Sequence, residues 1–263
     1  MSLMWLNETK NTELQGLSRL FTYPVYWINL ETNNNRKNYM VEELNKLNIK
    51  NFRVDAIDGK HIEYQEYYWN HPSGFNISTK TTEHNTLGEI GCALSHIKAI
   101  KTSFNNNDSI SIIMEDDISF KLHKYWSKTL EDVVNNAPKD WDIIQLNTSN
   151  ADELWKMSQN KPSVYLKWKK EYFSCLAYII NLKGMQKVLS KYDSKNIDTD
   201  TFVSDKIIYK DCNTYTLSKP LFLFEEKFKS TLQEDRVNLK KFKDENWEVR
   251  SNRIVSKNMY NRN

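Results

Sequence analysis

One apolar stretch that ends in a cluster of acids constrains the fold more than any other part of the chain. The stretch covers residues 109–120, and its acids are Glu115, Asp116 and Asp117. An apolar run of this length, bounded by polar residues, is typical of a strand buried on both faces in the centre of a parallel sheet. The acids then lie at the carboxyl end of the strand, where open α/β sheets bind their ligands.

The three acids predict a site that holds a cation. Carboxylates massed on a buried strand repel one another and lose hydration, so they require a cation or strong hydrogen-bond donors nearby. Alternation along a strand predicts that Glu115 and Asp117 point to one side and Asp116 to the other. Such a carboxylate pair suits Mg²⁺ or Mn²⁺, above all when substrate phosphates complete the ligand shell. The alternative is an acidic turn that caps the following helix.

Length and composition narrow the class of protein. A chain of 263 residues is long enough for one large α/β domain or two small ones. Its net charge of +3 argues against a dedicated nucleic-acid binder. The cysteines Cys92, Cys175 and Cys212 are odd in number and widely spaced. This spacing disfavours a zinc motif and a disulfide framework, and it indicates a reducing compartment.

The sequence also predicts where the protein resides. No segment approaches the roughly 20 apolar residues that are needed to cross a bilayer, and the first residues lack a signal-peptide layout. We therefore expect a soluble protein, cytoplasmic or otherwise intracellular, without a transmembrane segment. The oligomeric state, a homodimer included, is left open.

The first half of the chain reads as a βαβ unit followed by a long loop and a helix. Residues 23–30 and 52–56 are predicted strands, and residues 36–47 between them show helical spacing of apolar side chains. The crossover of such a unit is expected to be right-handed. Residues 61–86 are polar and aromatic, which predicts an irregular insertion of functional type. A helix rich in glycine at its start is expected over residues 87–100.

The second half supplies further strands and helices. Expected helices cover residues 124–134 and 183–191, and expected strands cover residues 141–146, 174–180 and 215–224. We predict an N-terminal arm or helix over residues 1–22, one catalytic domain over residues 23–232, and a charged tail, helical or partly disordered, over residues 233–263.

Three sequence blocks together resemble glycosyltransferase family 25. They cover residues 27–30 with Arg36 and then 52–59, residues 87–96, and residues 112–117. This family holds bacterial lipooligosaccharide galactosyltransferases and animal collagen hydroxylysine galactosyltransferases. The resemblance implies a GT-A-like α/β fold, with a Rossmann-type, mostly parallel sheet flanked by helices on both faces. It also implies a UDP-sugar donor, dependence on Mn²⁺ (or Mg²⁺), and inversion at the anomeric carbon.

The resemblance assigns roles to individual residues. Glu115 and Asp117 would hold the metal ion. The residues expected to contact the nucleotide sugar are Asn29, Leu30, Arg36, Ala56, Ile57, Gly59, Glu89, Ser95, His96 and Asp116. Ser95 and His96 lie within a predicted helix and could equally be packing residues. The candidates for the base that activates the acceptor hydroxyl are Asp142, Asp198 and Asp200.

Several alternatives remain open at this point. Many GT-A enzymes supply a late histidine to the metal, whereas no histidine follows His123 here. The missing histidine keeps open a catalytically silent sugar-nucleotide-binding module. A metal-dependent phosphohydrolase that uses the acid clusters is a third hypothesis. The donor sugar, galactose or glucose, is not fixed by the sequence. The acceptor, a lipid-linked saccharide or a protein hydroxylysine, is not fixed either.

Overall fold

The fold was examined in a computed structural model that describes residues 21–59, 87–160, 162–193, 208–228 and 247–260. The predictions for residues 1–20, for the 61–86 insertion and for the base candidates Asp198 and Asp200 lie outside these ranges. Within them, no helix has the length and apolar character that spanning a bilayer requires.

Strands and helices alternate along most of the described chain. The strands are β1 (Val25–Asn29), β2 (Asn51–Asp55), β3 (Ile110–Glu115), β4 (Ile118–Ser119), β5 (Ile143–Gln145), β6 (Tyr165–Lys167), β7 (Ala177–Asn181), β8 (Thr214–Leu217) and β9 (Leu223–Phe224). The helices are α1 (Asn34–Lys46), α2 (Leu87–Asn105), α3 (Leu130–Asn135), α4 (Ala151–Asn160), α5 (Leu182–Asp193) and α6 (Trp247–Ile254), and α6 continues into a π-helical turn (Val255–Tyr260).

The described strands form a seven-stranded mixed sheet and a small two-stranded one. The order in the large sheet is β2-β1-β3-β7-β5-β8-β6, and β4 pairs with β9 in the small sheet. In the large sheet β7 and β6 run antiparallel to their neighbours, while the other five strands share one direction. This arrangement confirms the predicted α/β, GT-A-like fold with mostly parallel strands.

Helices cover both faces of the large sheet, as predicted. On one face α2 and α5 pack on side chains such as Tyr26 and Ile113. On the other face α1 and α3 pack on side chains such as Trp27 and Ile112. Neighbouring residues of a strand thus enter opposite cores, because successive side chains of a strand point to opposite faces. The central strand β3 is buried on both faces, which the apolar run predicted.

Two local predictions differ from the structure. The expected helix over residues 124–134 is a short 3₁₀ turn (His123–Tyr125) followed by α3. The break falls at Thr129, whose side chain caps the N-terminus of α3 and accepts a hydrogen bond from the Asp132 amide, while the Asp132 side chain bonds the Thr129 amide. A capping box of this kind starts a helix and so divides the stretch. The expected strand over residues 215–224 is likewise two strands, β8 and β9.

Part of the predicted C-terminal tail packs against the sheet. The Asn252 side chain bonds both backbone groups of Phe224 in β9, at 3.0 Å and 2.8 Å. The hydroxyl of Ser251 donates to the Ser149 carbonyl oxygen at 2.6 Å. Helix α6 therefore lies beside the carboxyl end of β5 and beside the small sheet.

Candidate active site

The three acids lie at the carboxyl end of β3, at the sheet edge where the sequence predicted them. Strand β3 ends at Glu115, and Asp116 and Asp117 form the turn that leads into β4. Because the strand ends before them, the expected alternation of side chains does not apply to the two aspartates. Asp116 and Asp117 contact the same basic side chain, whereas Glu115 faces a histidine on another element.

Arg36 from the first turn of α1 joins the two aspartates. Its Nη1 donates to Asp116 Oδ1 at 2.6 Å and to Asp117 Oδ2 at 3.1 Å. Asn33 caps this helix, since its side-chain oxygen accepts a hydrogen bond from the Arg36 amide. The cap fixes the start of α1 beside the carboxyl end of β1. The helix thereby delivers a buried guanidinium to the acids.

A second contact ties Asp116 to the first strand. Asn29 at the end of β1 donates from Nδ2 to Asp116 Oδ2 at 2.6 Å, and its own Oδ1 accepts from Arg53 Nε at 2.9 Å. Arg53 of β2 also pairs with Asp55 and Glu31. Parallel pairing aligns the carboxyl ends of β1, β2 and β3, and this alignment brings these polar groups together.

Charge at the aspartate turn is only partly balanced. Burial raises the pKa of Asp117 well above its ordinary value; Arg36 opposes this rise, and the charges of Glu115, Asp116 and Glu248 add to it. Burial also raises the pKa of Asp116 despite the help of Arg36 and Asn29. Asp117 Oδ1 is buried and has no hydrogen-bond partner among the described residues. An additional cation would relieve this excess of negative charge.

The donor set fits a divalent cation of the kind the family implies. Asp117 offers the buried oxygen that lacks a hydrogen bond, and the side chain of Glu115 at the end of the same strand is 27% exposed. Carboxylate oxygens are the ligands that Mn²⁺ and Mg²⁺ prefer. The assignment of Glu115 and Asp117 to the metal remains a prediction.

Glu115 belongs to a hydrogen-bonded chain that reaches into the core. Its Oε1 lies 3.2 Å from His96 Nε2, and His96 Nδ1 lies 3.3 Å from the hydroxyl of Tyr178. His96 is buried in α2 and Tyr178 is buried in β7. Burial raises the pKa of Tyr178 well above its usual range, so this phenol stays protonated.

The segment that follows β2 is held by backbone contacts to α2. The Ile57 amide donates to Ser95 Oγ at 2.8 Å, and the Ser95 hydroxyl donates to the Gly91 carbonyl oxygen at 2.6 Å. A Cβ added at Gly91 would lie 2.6 Å from Gly59 N and from Ile57 O. Only glycine allows this approach, which sets the 56–59 segment beside the start of the helix.

The remaining predicted donor residues lie at the same edge. The Ala56 amide donates to the Asn29 carbonyl oxygen at 2.9 Å, and Leu30 begins the turn that leads to α1. Glu89 is buried in the first turn of α2. The structure thus brings together every predicted nucleotide-sugar contact at the carboxyl ends of β1, β2 and β3. Their contacts with a donor molecule remain predictions.

Asp142 does not join this group, and its assignment as the catalytic base is corrected by its position. It precedes β5 and lies at the amino ends of the parallel strands, opposite the acid cluster. The side chain is fully buried; it pairs with Lys187, lies 3.7 Å from Lys183 Nζ, and accepts from the Asn213 amide at 2.7 Å. It therefore anchors α5 and the start of β8. Asp198 and Asp200 lie outside the described residues and remain candidates.

The structure adds residues that the sequence analysis did not single out. The Glu225 amide donates to the Asp117 carbonyl oxygen at 2.7 Å, and the Glu225 side chain meets Tyr39 and Lys121. Glu248 on α6 raises the pKa of Asp117 through its charge. These residues come from late, charged parts of the chain whose sequence has no signature. Arg53 was inside a matched block and could have been found there.

Comparison with known proteins gives a consistent family. The family model described as "Glycosyltransferase family 25 (LPS biosynthesis protein)" matches residues 22–203. Procollagen galactosyltransferase 1-A of Xenopus laevis is 28% identical over an alignment of 182 residues that covers 63% of this chain and 28% of that protein. Procollagen galactosyltransferase 2 of Homo sapiens is 26% identical over 175 residues, with 63% and 27% covered.

A bacterial relative matches over a larger share of its length. The "Putative glycosyltransferase" of Haemophilus influenzae is 29% identical over an alignment of 223 residues that covers 80% of this chain and 76% of that protein. The alignments to the two procollagen galactosyltransferases cover less than a third of those proteins. The family model covers most of the present chain, and the acids, Arg36 and the α2 contacts all lie within the matched residues. The chain therefore belongs to glycosyltransferase family 25.

Proposed function

We propose that this protein is a metal-dependent, inverting glycosyltransferase that moves a hexose from a UDP-sugar to a hydroxyl group. The carrying observation is the charge imbalance at the end of β3, where Asp116 and Asp117 share Arg36 and one buried oxygen of Asp117 lacks a hydrogen bond. A site with excess negative charge at a ligand-binding edge suits a metal–diphosphate complex. Family membership supports transfer of a sugar as the reaction.

Different groups around the acids would bind different parts of the UDP-sugar donor. The 56–59 backbone, Asn29 and Leu30 lie at the ends of β1 and β2, where a nucleoside would be framed by backbone groups. A divalent cation, when bound, neutralises charge on the diphosphate leaving group. Arg36 keeps Asp116 and Asp117 in place, and burial of the guanidinium strengthens that pairing.

The reaction also needs a base that activates the acceptor hydroxyl. Asp142 does not fill this role, because it lies at the amino ends of the parallel strands. Inversion requires one in-line attack by an acceptor hydroxyl, with a carboxylate on the opposite side of the sugar. Asp198 and Asp200 remain the candidates. The names of the relatives favour galactose as the sugar that is moved. A collagen-type hydroxylysine and a lipooligosaccharide-type saccharide are both consistent with those names as acceptors.

The direct test is calorimetric titration with UDP-galactose, UDP-glucose and UDP, each with and without Mn²⁺. We expect binding that depends on the metal in the natural protein and in Asp142→Asn, and that is lost in Asp117→Asn. The Asp142 variant is the matched control, because it also removes a buried carboxylate, but at the opposite ends of the parallel strands. Equal binding by both variants would refute the proposed metal site.

A catalytically silent module is the second candidate. Its supporting observation is the Arg36 ion pair, because a guanidinium can hold two aspartates together without a metal. Binding of UDP without turnover, across saccharide and hydroxylysine-peptide acceptors, would favour the module. Release of UDP from UDP-galactose in the presence of Mn²⁺ would exclude it.

A further inference from the structure

Three side chains of different chemistry converge beside the acid cluster. The ligand atoms of Cys92, His96 and Glu115 all lie within 4.8 Å of one another. Cys92 and His96 are four residues apart in α2 and therefore share one face of the helix. Glu115 reaches them from the end of β3, so the cluster joins two elements that the fold packs together.

We propose that these three residues form a binding site for Zn²⁺. A thiolate, an imidazole and a carboxylate make a typical zinc ligand set, with a fourth position open to water or a substrate atom. Mn²⁺ and Mg²⁺ favour all-oxygen sites, so the sulfur ligand distinguishes this site from the one proposed at Asp117. Binding would displace the proton of the Cys92 thiol to solvent and leave the thiolate on the metal.

The environment of His96 supplies a second, independent observation. Histidine ligands of metals usually use their other ring nitrogen for a hydrogen bond that fixes the orientation of the ring. His96 has such a partner, since its Nδ1 lies 3.3 Å from the Tyr178 hydroxyl and its Nε2 faces Glu115. Tyr178 is fully buried and stacks obliquely on the histidine, with ring centroids 5.7 Å apart. This leaves Nε2 for the metal.

The wide spacing of the cysteines gave no sign of this site. The cluster contains a single cysteine, and its other ligands come from the same helix and from a strand that is distant in sequence. The proposal also links zinc to the reaction. Glu115 is shared with the proposed manganese site, so zinc at Cys92 and His96 would withdraw that carboxylate from catalysis. This inhibitory role rests on the proposed function, whereas the zinc site itself does not.

The test uses Co²⁺ as a spectroscopic substitute for zinc, in the absence of any nucleotide sugar. We expect the natural protein to show the near-ultraviolet absorption of a cobalt thiolate, and Zn²⁺ to displace it at one equivalent. Cys92→Ser should abolish this absorption and weaken Zn²⁺ binding about 100-fold or more. Cys212→Ser is the matched control, since Cys212 is also half-buried but lies outside the cluster.

Two further variants keep the test decisive if Cys92→Ser folds poorly. Tyr178→Phe removes the hydroxyl beside His96 and should weaken Zn²⁺ binding by about 10- to 100-fold without removing the thiolate signal. Glu115→Gln should weaken it while leaving that signal in place. Zinc binding that all three variants leave unchanged, or no cobalt thiolate signal in the natural protein, would overturn the proposal. The cluster would then be a Tyr178–His96–Glu115 hydrogen-bond chain only.

Discussion

The large sheet buries one carboxylate at the amino ends of its parallel strands (the amino edge) and another at their carboxyl ends (the carboxyl edge), and the two have different partners. At the amino edge, Asp142 is matched by Lys187, by Lys183 and by the Asn213 amide. At the carboxyl edge, Asp117 shares Arg36 with Asp116 and has Glu115 and Glu248 as acidic neighbours. Each aspartate has one buried oxygen without a hydrogen bond among the described residues.

The difference separates a structural carboxylate from one arranged for a ligand. Two lysines balance the charge of Asp142, so its role ends with anchoring α5 and β8. At the carboxyl edge two buried aspartates share one arginine, and Asp117 Oδ1 has no hydrogen bond among the described residues. Burial without balance costs stability, and a protein keeps such a site where a bound cation restores the balance.

Among these predictions, loss of Arg36 should cause the largest change, a fall in the free energy of unfolding. Arg36→Gln leaves two buried aspartates without their guanidinium, and breaking a buried pair costs about 3–5 kcal/mol. We expect the free energy of unfolding to fall by about this amount at neutral pH, measured by urea denaturation. Arg36→Lys, which keeps the charge but not the fork, should lose less. An equal loss in both would mean that packing, not charge, sets the cost.

The variants Asp117→Asn and Asp142→Asn should affect different properties, the first mainly activity and the second mainly stability. We expect Asp117→Asn to lower transfer from the UDP-sugar by on the order of 10²- to 10³-fold, because it removes a proposed ligand of the cation that would neutralise the diphosphate leaving group. Asp142→Asn should leave activity per folded molecule unchanged and destabilise by about 1–3 kcal/mol, because Lys187 loses its partner. Activity and urea midpoints measured on both variants check this. A reversed pattern would restore Asp142 as a catalytic candidate.

A pair of glycines sharpens the same contrast. A Cβ at Gly184 would lie 2.6 Å from the Asp142 carbonyl oxygen, and one at Gly91 would lie 2.6 Å from Gly59 N. Each glycine→alanine change should cost about 1–3 kcal/mol through overpacking. Gly91→Ala should also weaken UDP binding, since it displaces the 57–59 segment, whereas Gly184→Ala should not. Calorimetry with UDP on both variants decides between the two edges.

The last expected contrast is in the pH dependence of stability. Burial raises the folded-state pKa of Asp117 above its unfolded value of 3.8. The folded protein then holds the proton more tightly, so the stability that this group contributes is fully present below that value and is lost as pH rises through the folded pKa.

Metal-free Asp117→Asn should therefore gain stability relative to the natural protein as pH rises. The gain is about 1.4 kcal/mol for each unit by which the pKa of Asp117 is higher in the folded than in the unfolded state. Urea denaturation at a series of pH values measures it. A gap that stays constant with pH would show that Asp117 is as well balanced as a surface carboxylate.

The sequence predicted those parts of the fold that periodicity and strand ends determine. The buried strand β3 and the βαβ unit follow from where apolar runs begin and stop. The family resemblance, in contrast, placed Asn29, Arg36 and Asp116 at the donor site. The direction of β7 was not predictable, because an apolar run buried on both faces is compatible with either direction.

Two errors at the site have local physical causes. The side-chain alternation assigned to Glu115 and Asp117 failed because the strand ends at Glu115 and a turn follows. Asp142 was proposed as a base from residue type and from a weak family match. It precedes β5, however, and the amino end of a parallel strand lies opposite the ligand-binding edge. The order of acid and strand in the sequence contains that information.

The late strands and α6 bear on how this family is delimited. The family model ends at residue 203, yet β8 lies between β5 and β6 inside the sheet. Glu225, the residue after β9, donates its amide to the Asp117 carbonyl oxygen, and α6 supplies Glu248. This chain, trimmed to the matched residues, would lose an interior strand of the sheet and the late residues that lie beside Asp117.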